Sequence, residues 1–193
     1  MKVRRFVEKL SEGVLFSSSM VTTVTVLFII YFLVKSGVGL FFDKPVDSGH
    51  ALALPASNPT QTLTAQQIKA IFNGEIINWK EVGWTDAPIE LLTLDELSSF
   101  YTEEELGADF ERVPACVNDY LAKHPYSIAY LDKSFFPASL NGHFVEVPRI
   151  SLKDFFGGKE WYPTAEPAAL FGLQPLLSGT LWVTFLAILI ALP

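Results

Sequence analysis

The chain has 193 residues, of which 50% are hydrophobic and 18% are charged, and its formal net charge is −7. That length allows one ordinary domain with a small extension. The acidic charge argues against nucleic acid as a partner, because an acidic surface has no general attraction for phosphate backbones. The single cysteine excludes an intrachain disulfide bond and a cysteine-based structural zinc site.

Residues 14–34 form the first of two long apolar runs. The run has no charged residue and is long enough to span a bilayer core as a helix. It follows four basic residues, Lys2, Arg4, Arg5 and Lys9, and a cleaved signal peptide begins in the same way. The run is longer than a signal peptide needs, and no small-x-small cleavage site follows it. We therefore predict an uncleaved transmembrane helix.

Residues 35–172 have the pattern of an extended loop that contains a globular domain. Short apolar strands are predicted at 50–55, 89–92, 127–131 and 144–147. Helices are predicted to begin at three capping boxes, at Thr64, Thr93 and Thr102, and again near Pro114. Helices that alternate with short strands are typical of an α/β layer with a partly parallel sheet.

Within this loop, residues 63–83 read LTAQQIKAIFNGEIINWKEVG and include Asn78 and Trp79. The stretch resembles a signature segment of phosphate-type periplasmic binding proteins, and residues 116–131 resemble that family's later helix, turn and strand. The resemblance covers about residues 50–147, which implies one lobe of a two-lobed binding protein.

The chain departs from that family at residues 92–100. The resemblance implies a GSGT turn here, whose helix N-terminus holds phosphate. The chain instead places Asp95 and Glu96 at the helix start, followed by Ser98 and Ser99. Two carboxylates would repel a dianion, so we expect a degenerate anion site that binds phosphate weakly or not at all.

The second apolar run covers residues 173–193 and is also free of charge. A buried core helix is the alternative, but length and lack of charge favour a second transmembrane helix. The run reaches Pro193 without a polar flank, so we expect the sequence to be the N-terminal piece of a longer protein. The predicted fold class is two transmembrane α-helices plus a single α/β lobe of the binding-protein type.

Basic residues set the expected orientation. Four of the 14 Lys and Arg residues precede the first run, and the other ten share the loop with 19 of the 21 Asp and Glu residues. Short basic tails stay in the cytoplasm. The predicted domains are a cytoplasmic tail at 1–13, a helix at 14–34, a periplasmic loop at 35–172 and a helix at 173–193. The expected location is a bacterial inner membrane.

The segment around the second run resembles permease subunits of the phosphate ABC importer. The matching positions include Trp161, Pro163, Gly179, Thr180 and Pro193. The resemblance implies a second permease subunit, ATPase subunits, a periplasmic phosphate-binding protein and membrane lipid as partners. The inserted lobe is then expected to dock the binding protein, with a spacer that has no partner as the alternative.

No catalytic residue, cofactor or metal site is predicted. His50, His124 and His143 lack metal-ligand spacing, and Cys116 lies on the apolar face of a predicted helix. The leading hypothesis is an importer permease component. The alternatives are a membrane-anchored solute-binding or sensor module and a secreted binding protein with a cleaved signal. Sequence encoded after Pro193 would separate them, because a permease continues with further apolar helices.

Overall fold

The computed structural model describes residues 2–192, and their contacts divide the chain into two compact units between Asp43 and Lys44. The first unit contains a single long helix, α1 (Lys2–Gly39). This helix extends beyond the predicted 14–34 at both ends, because its flanks contain no proline, and the glycines at positions 13 and 37 weaken a helix without ending it. Its segment Leu15–Gly39 is long and apolar enough to cross a membrane.

The second unit contains all the remaining elements. Its helices are α2 (Ala65–Phe72), α3 (Leu94–Phe100), α4 (Glu103–Leu106), α5 (Val113–Lys123), α6 (Leu152–Gly157) and α7 (Gln174–Ala191), with short 3₁₀ helices at Trp79–Val82 and Lys133–Phe135. Its strands are β1 (His50–Pro55), β2 (Glu90–Leu92), β3 (Ser127–Asp132), β4 (Gly142–Phe144), β5 (Trp161–Tyr162) and β6 (Leu170–Phe171).

Four strands form a sheet in the order β2-β3-β1-β4. The β2 and β3 strands are parallel and the other pairs are antiparallel, so the predicted partly parallel sheet is confirmed. Because side chains alternate along a strand, β1 contributes to two cores. Ala53 packs with residues of α3, α4 and α5, whereas Leu52 and Leu54 pack with α2 and Trp79. The lobe is therefore a sheet covered by helices on both faces.

Most local predictions in the lobe are confirmed. The strand at 50–55 forms as expected, and the helix predicted near Pro114 begins one residue earlier, at Val113. Capping boxes at Thr64, Thr93 and Thr102 begin α2, α3 and α4. The predicted strand at 89–92 begins one residue later, and the one at 127–131 ends one residue later.

The predicted strand at 144–147 is wrong. Strand β4 covers Gly142–Phe144, so only Phe144 is shared with the prediction, although the Val145 N–H still donates to the Leu52 carbonyl of β1 (2.9 Å). The chain then turns towards the start of α2: the Glu146 N–H donates to the Gln61 carbonyl (2.8 Å), and the Leu63 N–H donates to the Glu146 carbonyl (3.2 Å). Val145 and Val147 are buried as the alternating pattern suggested, but outside a strand.

The two ends of the lobe lie side by side. The Ala169 N–H, shortly before α7, donates to the carbonyl of Pro45, near the start of the second unit (2.8 Å). Helix α7 follows directly, carries no charge, and is long and apolar enough to cross a membrane. Every residue of α7 is exposed, which excludes the alternative of a buried core helix within residues 2–192.

Candidate functional site

The predicted degenerate anion site forms the beginning of α3, immediately after β2. Thr93 is the N-cap, and its backbone N–H donates to the Glu96 carboxylate (3.2 Å). The Thr93 hydroxyl donates to the same carboxylate, and the Glu96 N–H points back to that hydroxyl (3.5 Å). This reciprocal pair is a capping box, so the chain's own side chains occupy the helix start.

The other residues of this site are also turned towards their own helix. The Ser98 hydroxyl donates to the Leu94 carbonyl (2.8 Å), and the Ser99 hydroxyl donates to the Glu96 carbonyl (2.7 Å). Asp95 is exposed in the first turn beside Glu96. The structure brings all four predicted residues together. Asp95 and Glu96 offer only hydrogen-bond acceptors, and the hydroxyls of Ser98 and Ser99 already donate to carbonyls of their own helix. An approaching anion would meet two carboxylates and no free hydroxyl.

Asn78 and Trp79 have structural roles. The Asn78 side chain caps the 3₁₀ helix by accepting from the Lys80 N–H (2.9 Å) and donates to Asp86 (2.9 Å). Trp79 is 0% exposed, and its indole N–H donates to the carbonyl of Tyr126 (2.7 Å). The signature motif therefore ties the loop before β2 to the start of β3.

Trp161 and Pro163 lie on the β5 side of a short hairpin that precedes α7. Trp161 is half-buried, and its ring meets Phe171 of β6 edge to face, with centroids 5.6 Å apart. It also lies 6.4 Å from the ring of Phe155 in α6. Pro163 is exposed just after β5. These residues join the hairpin to α6, close to the beginning of α7.

The remaining motif positions lie on α7 or beyond it. The Thr180 hydroxyl donates to the Leu176 carbonyl (2.8 Å), so it is satisfied within the helix. A Cβ placed on Gly179 would meet nothing within 4 Å, which leaves an open notch on the helix surface. Such notches allow close approach of another helix. Pro193 lies outside the described residues.

A feature that the sequence did not indicate is the crossing of Gly158 and Gly172. Both glycines are buried, and their backbones are in direct contact at the end of α6 and shortly before α7. The Leu173 N–H donates to the Phe155 carbonyl (2.7 Å), and the Gln174 N–H donates to the Gly158 carbonyl (3.3 Å). The beginning of α7 is thus bound to the end of α6.

A narrow cleft lies between the start of α2 and the segment at 148–160. Its volume is about 90 Å³, and its lining includes Thr64, Arg149, Asp154 and Glu160. Pockets for small-molecule ligands are usually of the order of 300–1,000 Å³, so this cleft is too small for one. On the neighbouring surface, Lys69 forms an ion pair with Glu160.

A second polar cluster joins α3 to α5. The Tyr101 hydroxyl donates to Asp119 (2.9 Å), which also accepts from Lys123 (2.7 Å). Burial, and then the Asp119 hydrogen bond, raises the pKa of Tyr101 well above its usual value. Cys116 is buried in the same core, as predicted. Burial raises the pKa of its thiol, which disfavours a reactive thiolate.

The three histidines have separate partners. His50 contacts Asp47 (3.0 Å), His124 contacts Glu90 (2.7 Å), and His143 contacts the Thr60 carbonyl (2.8 Å). Within residues 2–192, no group of three His, Cys, Asp or Glu side chains is placed to hold a metal ion.

A family model described as a PBP superfamily domain matches residues 37–177, which is more than half of the chain. The match includes the whole lobe and the first residues of α7. It does not include most of α1.

Three solved structures have partial similarity to the chain. The first is a protein assigned as a phosphate ABC transporter substrate-binding protein, with bound phosphate, from Clostridium perfringens: 26% identity, 54% of this chain, 47% of that chain, TM-score 0.37. An ABC-type phosphate transport receptor from Vibrio cholerae has 15% sequence identity; the match covers 58% of this chain and 52% of that chain, with a TM-score of 0.38. PstS from Borrelia burgdorferi has 20% identity; the match covers 57% of this chain and 52% of that chain, with a TM-score of 0.38. The chain spans about half the length of these proteins.

Proposed function

We propose that this chain, which belongs to the PBP superfamily, is a membrane-spanning permease component of an ABC-type phosphate importer. The proposal rests on two helices that are long and apolar enough to cross a membrane, and on the resemblance of the segment around the second apolar run to permease subunits. Its lobe is carried between two transmembrane helices on the periplasmic side. The lobe acts as a docking surface for the importer's phosphate-binding protein and does not itself hold phosphate. The partners are a second permease subunit, the ATPase subunits and that binding protein.

The exposure of α7 supports a membrane location. Its apolar side chains, which include Leu181, Phe185 and Ile190, are all exposed. Leaving such a side chain in water costs about 1.5–3 kcal/mol relative to burial, so the complete set is costly outside an apolar environment. The 18 residues of α7 rise about 27 Å at ~1.5 Å per residue, close to the thickness of a bilayer core.

The hydrogen bond between Ala169 and Pro45 supports the insertion of the lobe between two helices. A domain whose ends are adjacent can be placed in a loop without separating the elements on either side of that loop. The lobe therefore meets the geometric requirement for an insertion between one transmembrane helix and the next.

The observation that carries the docking role is the capping box at Thr93 and Glu96. Hydrogen bonds to a charged acceptor contribute about 1.5–3 kcal/mol each. The loss of several such donors would remove most of a micromolar affinity, which corresponds to about 8 kcal/mol. The lobe keeps its buried Trp79 and its sheet but lacks the anion turn, so a contact role explains what is retained. The resemblance of residues 63–83 is what links the chain to phosphate.

Calorimetric titration of the full chain in nanodiscs with inorganic phosphate tests the first half of the proposal. We expect no binding in the micromolar range, because two carboxylates lie in the first turn of α3 and the hydroxyls of Thr93, Ser98 and Ser99 already donate within this segment. A substrate-binding protein of the same superfamily provides the positive control. Micromolar binding by the chain would contradict the proposal.

Deletion of residues 46–168 from the importer tests the second half, because Pro45 and Ala169 lie close enough to be joined by a short linker. We expect phosphate uptake to require a higher concentration of binding protein after the deletion, while the permease remains in the membrane fraction. Unchanged uptake would contradict docking and favour a spacer.

A second candidate function is a membrane-anchored solute-binding or sensor module. The family match favours it, because residues 37–177 comprise the lobe and little of either apolar helix. This candidate expects a ligand for the lobe and a soluble signalling domain in the full protein. The phosphate titration and the sequence encoded after Pro193 distinguish the two candidates.

A further inference from the structure

The segment at 149–162, which contains α6 and β5, presents an amphipathic surface next to the beginning of α7. Leu152 is 64% exposed, Phe156 is 59% exposed and Tyr162 is 52% exposed. The hydrogen bonds that α6 makes with the chain at Leu173 and Gln174 place this surface at the N-terminal end of α7.

The charge of this segment differs from that of the rest of the lobe. Arg149, Lys153 and Lys159 are exposed, and none of them has an ion-pair partner within residues 2–192. Of the two acidic residues in the segment, Asp154 accepts a hydrogen bond from the Ser151 hydroxyl and Glu160 pairs with Lys69. Unpaired cations therefore accompany the exposed apolar side chains, although the chain as a whole has a net charge of −7.

We propose that the 149–162 segment lies in the headgroup layer of the membrane that α7 enters. Leu152 and Phe156 are inserted at the acyl boundary, and Arg149, Lys153 and Lys159 are bound to anionic lipid headgroups. Tyr162 lies at the headgroup level, with the Lys69 ammonium 4.1 Å from the centroid of its ring. This inference rests on the proposed membrane location of α7. The 149–162 segment then holds the lobe in a fixed position against the lipid surface.

The chemistry of the segment fits a lipid interface. Amphipathic helices that have Phe and Leu on one face and Lys or Arg on the other lie in the plane of the interface, whatever their length. Basic residues are attracted to an anionic lipid surface over a distance of about one Debye length. Tyrosine and tryptophan are enriched at the same depth, which agrees with Tyr162 and the half-buried Trp161. The crossing of Gly158 and Gly172 keeps the segment at the N-terminal end of α7.

Fluorescence quenching by spin-labelled lipids tests the placement. The full chain with Cys116→Ser is reconstituted in nanodiscs, and an environment-sensitive probe is attached to Leu152→Cys, Phe156→Cys or Phe100→Cys in turn. Phe100 is the matched control, because it is an aromatic side chain with a similar exposure of 57%, at the end of α3.

We expect a lipid labelled near its headgroup to quench probes at 152 and 156, and to leave the probe at 100 unchanged. Iodide in the aqueous phase should quench in the opposite order. Equal quenching at 156 and 100, by either quencher, would overturn the proposal.

A probe at Leu186→Cys in α7, with a quencher deep in the acyl chains, separates the membrane location of α7 from the placement of the 149–162 segment. If the probe at 186 is not quenched, the proposed membrane location of α7 is wrong. If the probe at 186 is quenched and the probe at 156 is not, only the proposed contact of the 149–162 segment with lipid is wrong.

The role of the basic residues in the 149–162 segment is tested by changing the lipid composition of the nanodiscs. Nanodiscs of phosphatidylcholine alone are compared with an equal mixture of phosphatidylcholine and phosphatidylglycerol. We expect lipid quenching at 156 to increase in the anionic mixture, and the double substitution Lys153→Glu and Lys159→Glu to abolish that increase. Identical quenching in both compositions would overturn the assignment of anionic headgroups.

Discussion

Gly158 and Gly172 are packed so closely that neither tolerates a side chain. A Cβ on Gly158 would lie 2.6 Å from the Cα of Gly172, and a Cβ on Gly172 would lie 2.4 Å from the carbonyl oxygen of Gly158. Contacts this short involve backbone atoms, which cannot turn away as a flexible side chain can. The contact therefore fixes the end of α6 against the residues that lead into α7.

Alanine at either glycine should destabilise this junction. We expect Gly158→Ala and Gly172→Ala each to lower the free energy of unfolding by about 1–3 kcal/mol, because the backbone must shift to admit the methyl group. The matched control is Gly157→Ala, where a Cβ would meet nothing within 4 Å. Chemical denaturation in detergent measures the difference. Equal effects at 157, 158 and 172 would contradict the packing argument.

Substitution of Trp79 by phenylalanine should show that the motif tryptophan is structural. The substitution keeps an aromatic ring but removes the N–H that donates to the Tyr126 carbonyl. A lost partner for a buried acceptor costs about 1–3 kcal/mol, in addition to the cavity left by the smaller ring. Trp84→Phe is the control, because the half-buried Trp84 makes no hydrogen bond through its indole within residues 2–192. Similar stability of both variants, measured by urea denaturation, would contradict the assignment.

The stability of the lobe should decline in acid partly through Asp119. Hydrogen bonds from Lys123 and then Tyr101 lower the pKa of this carboxyl from its ordinary value of 3.8. A folded-state pKa below the unfolded value means that the contribution is present above 3.8 and is lost as the pH falls through the folded pKa. Asp119→Asn should therefore flatten the acid limb of stability against pH. The exposed Asp109→Asn is the control, and an unchanged acid limb in Asp119→Asn would contradict the prediction.

Tyr101 should affect stability at the opposite end of the pH range. Burial and the neighbouring Asp119 carboxylate raise the pKa of this hydroxyl above its ordinary value of 10.0. Its contribution is therefore present below that value and is lost as the pH rises through the folded pKa. In a pH titration followed by tyrosinate absorbance, the Tyr101→Phe variant should have one fewer tyrosine that ionises at high pH than the unsubstituted chain. Asp119→Asn should bring this titration to lower pH, and no change in either variant would contradict the cluster.

The parts of the lobe that the sequence predicted are those set by local chemistry. The capping boxes at Thr64, Thr93 and Thr102 each involve residues three apart, so the pattern contains all of the interacting groups. The wrong strand at 144–147 shows the opposite case. Its alternating apolar residues are buried, but whether they form a strand depends on the distant Gln61, whose carbonyl takes the Glu146 N–H.

The candidate site divides in the same way. The self-capped helix start at Asp95 and Glu96 could be inferred from sequence, because carboxylates in a first turn satisfy the helix dipole. The contact of Gly158 with Gly172 could not be inferred from the sequence. Neither glycine has a positive φ, and neither lies in a sequence motif that identifies the other as its partner. The ion pair of Lys69 with Glu160 joins residues far apart in the chain and left no local signal either.

The position of β1 in the sheet has a consequence for synthesis on the ribosome. β1 is a central strand, yet both of its neighbours, β3 and β4, are made much later. At ~5–20 residues per second, the ribosome needs roughly 4–15 s to pass from Pro55 to Asp132. During that interval the apolar segment HALALP has no native partner on either edge and is open to pairing with other nascent chains. Translation pauses or point mutations that delay β3 should therefore act on yield through aggregation, even where the finished lobe is as stable as before.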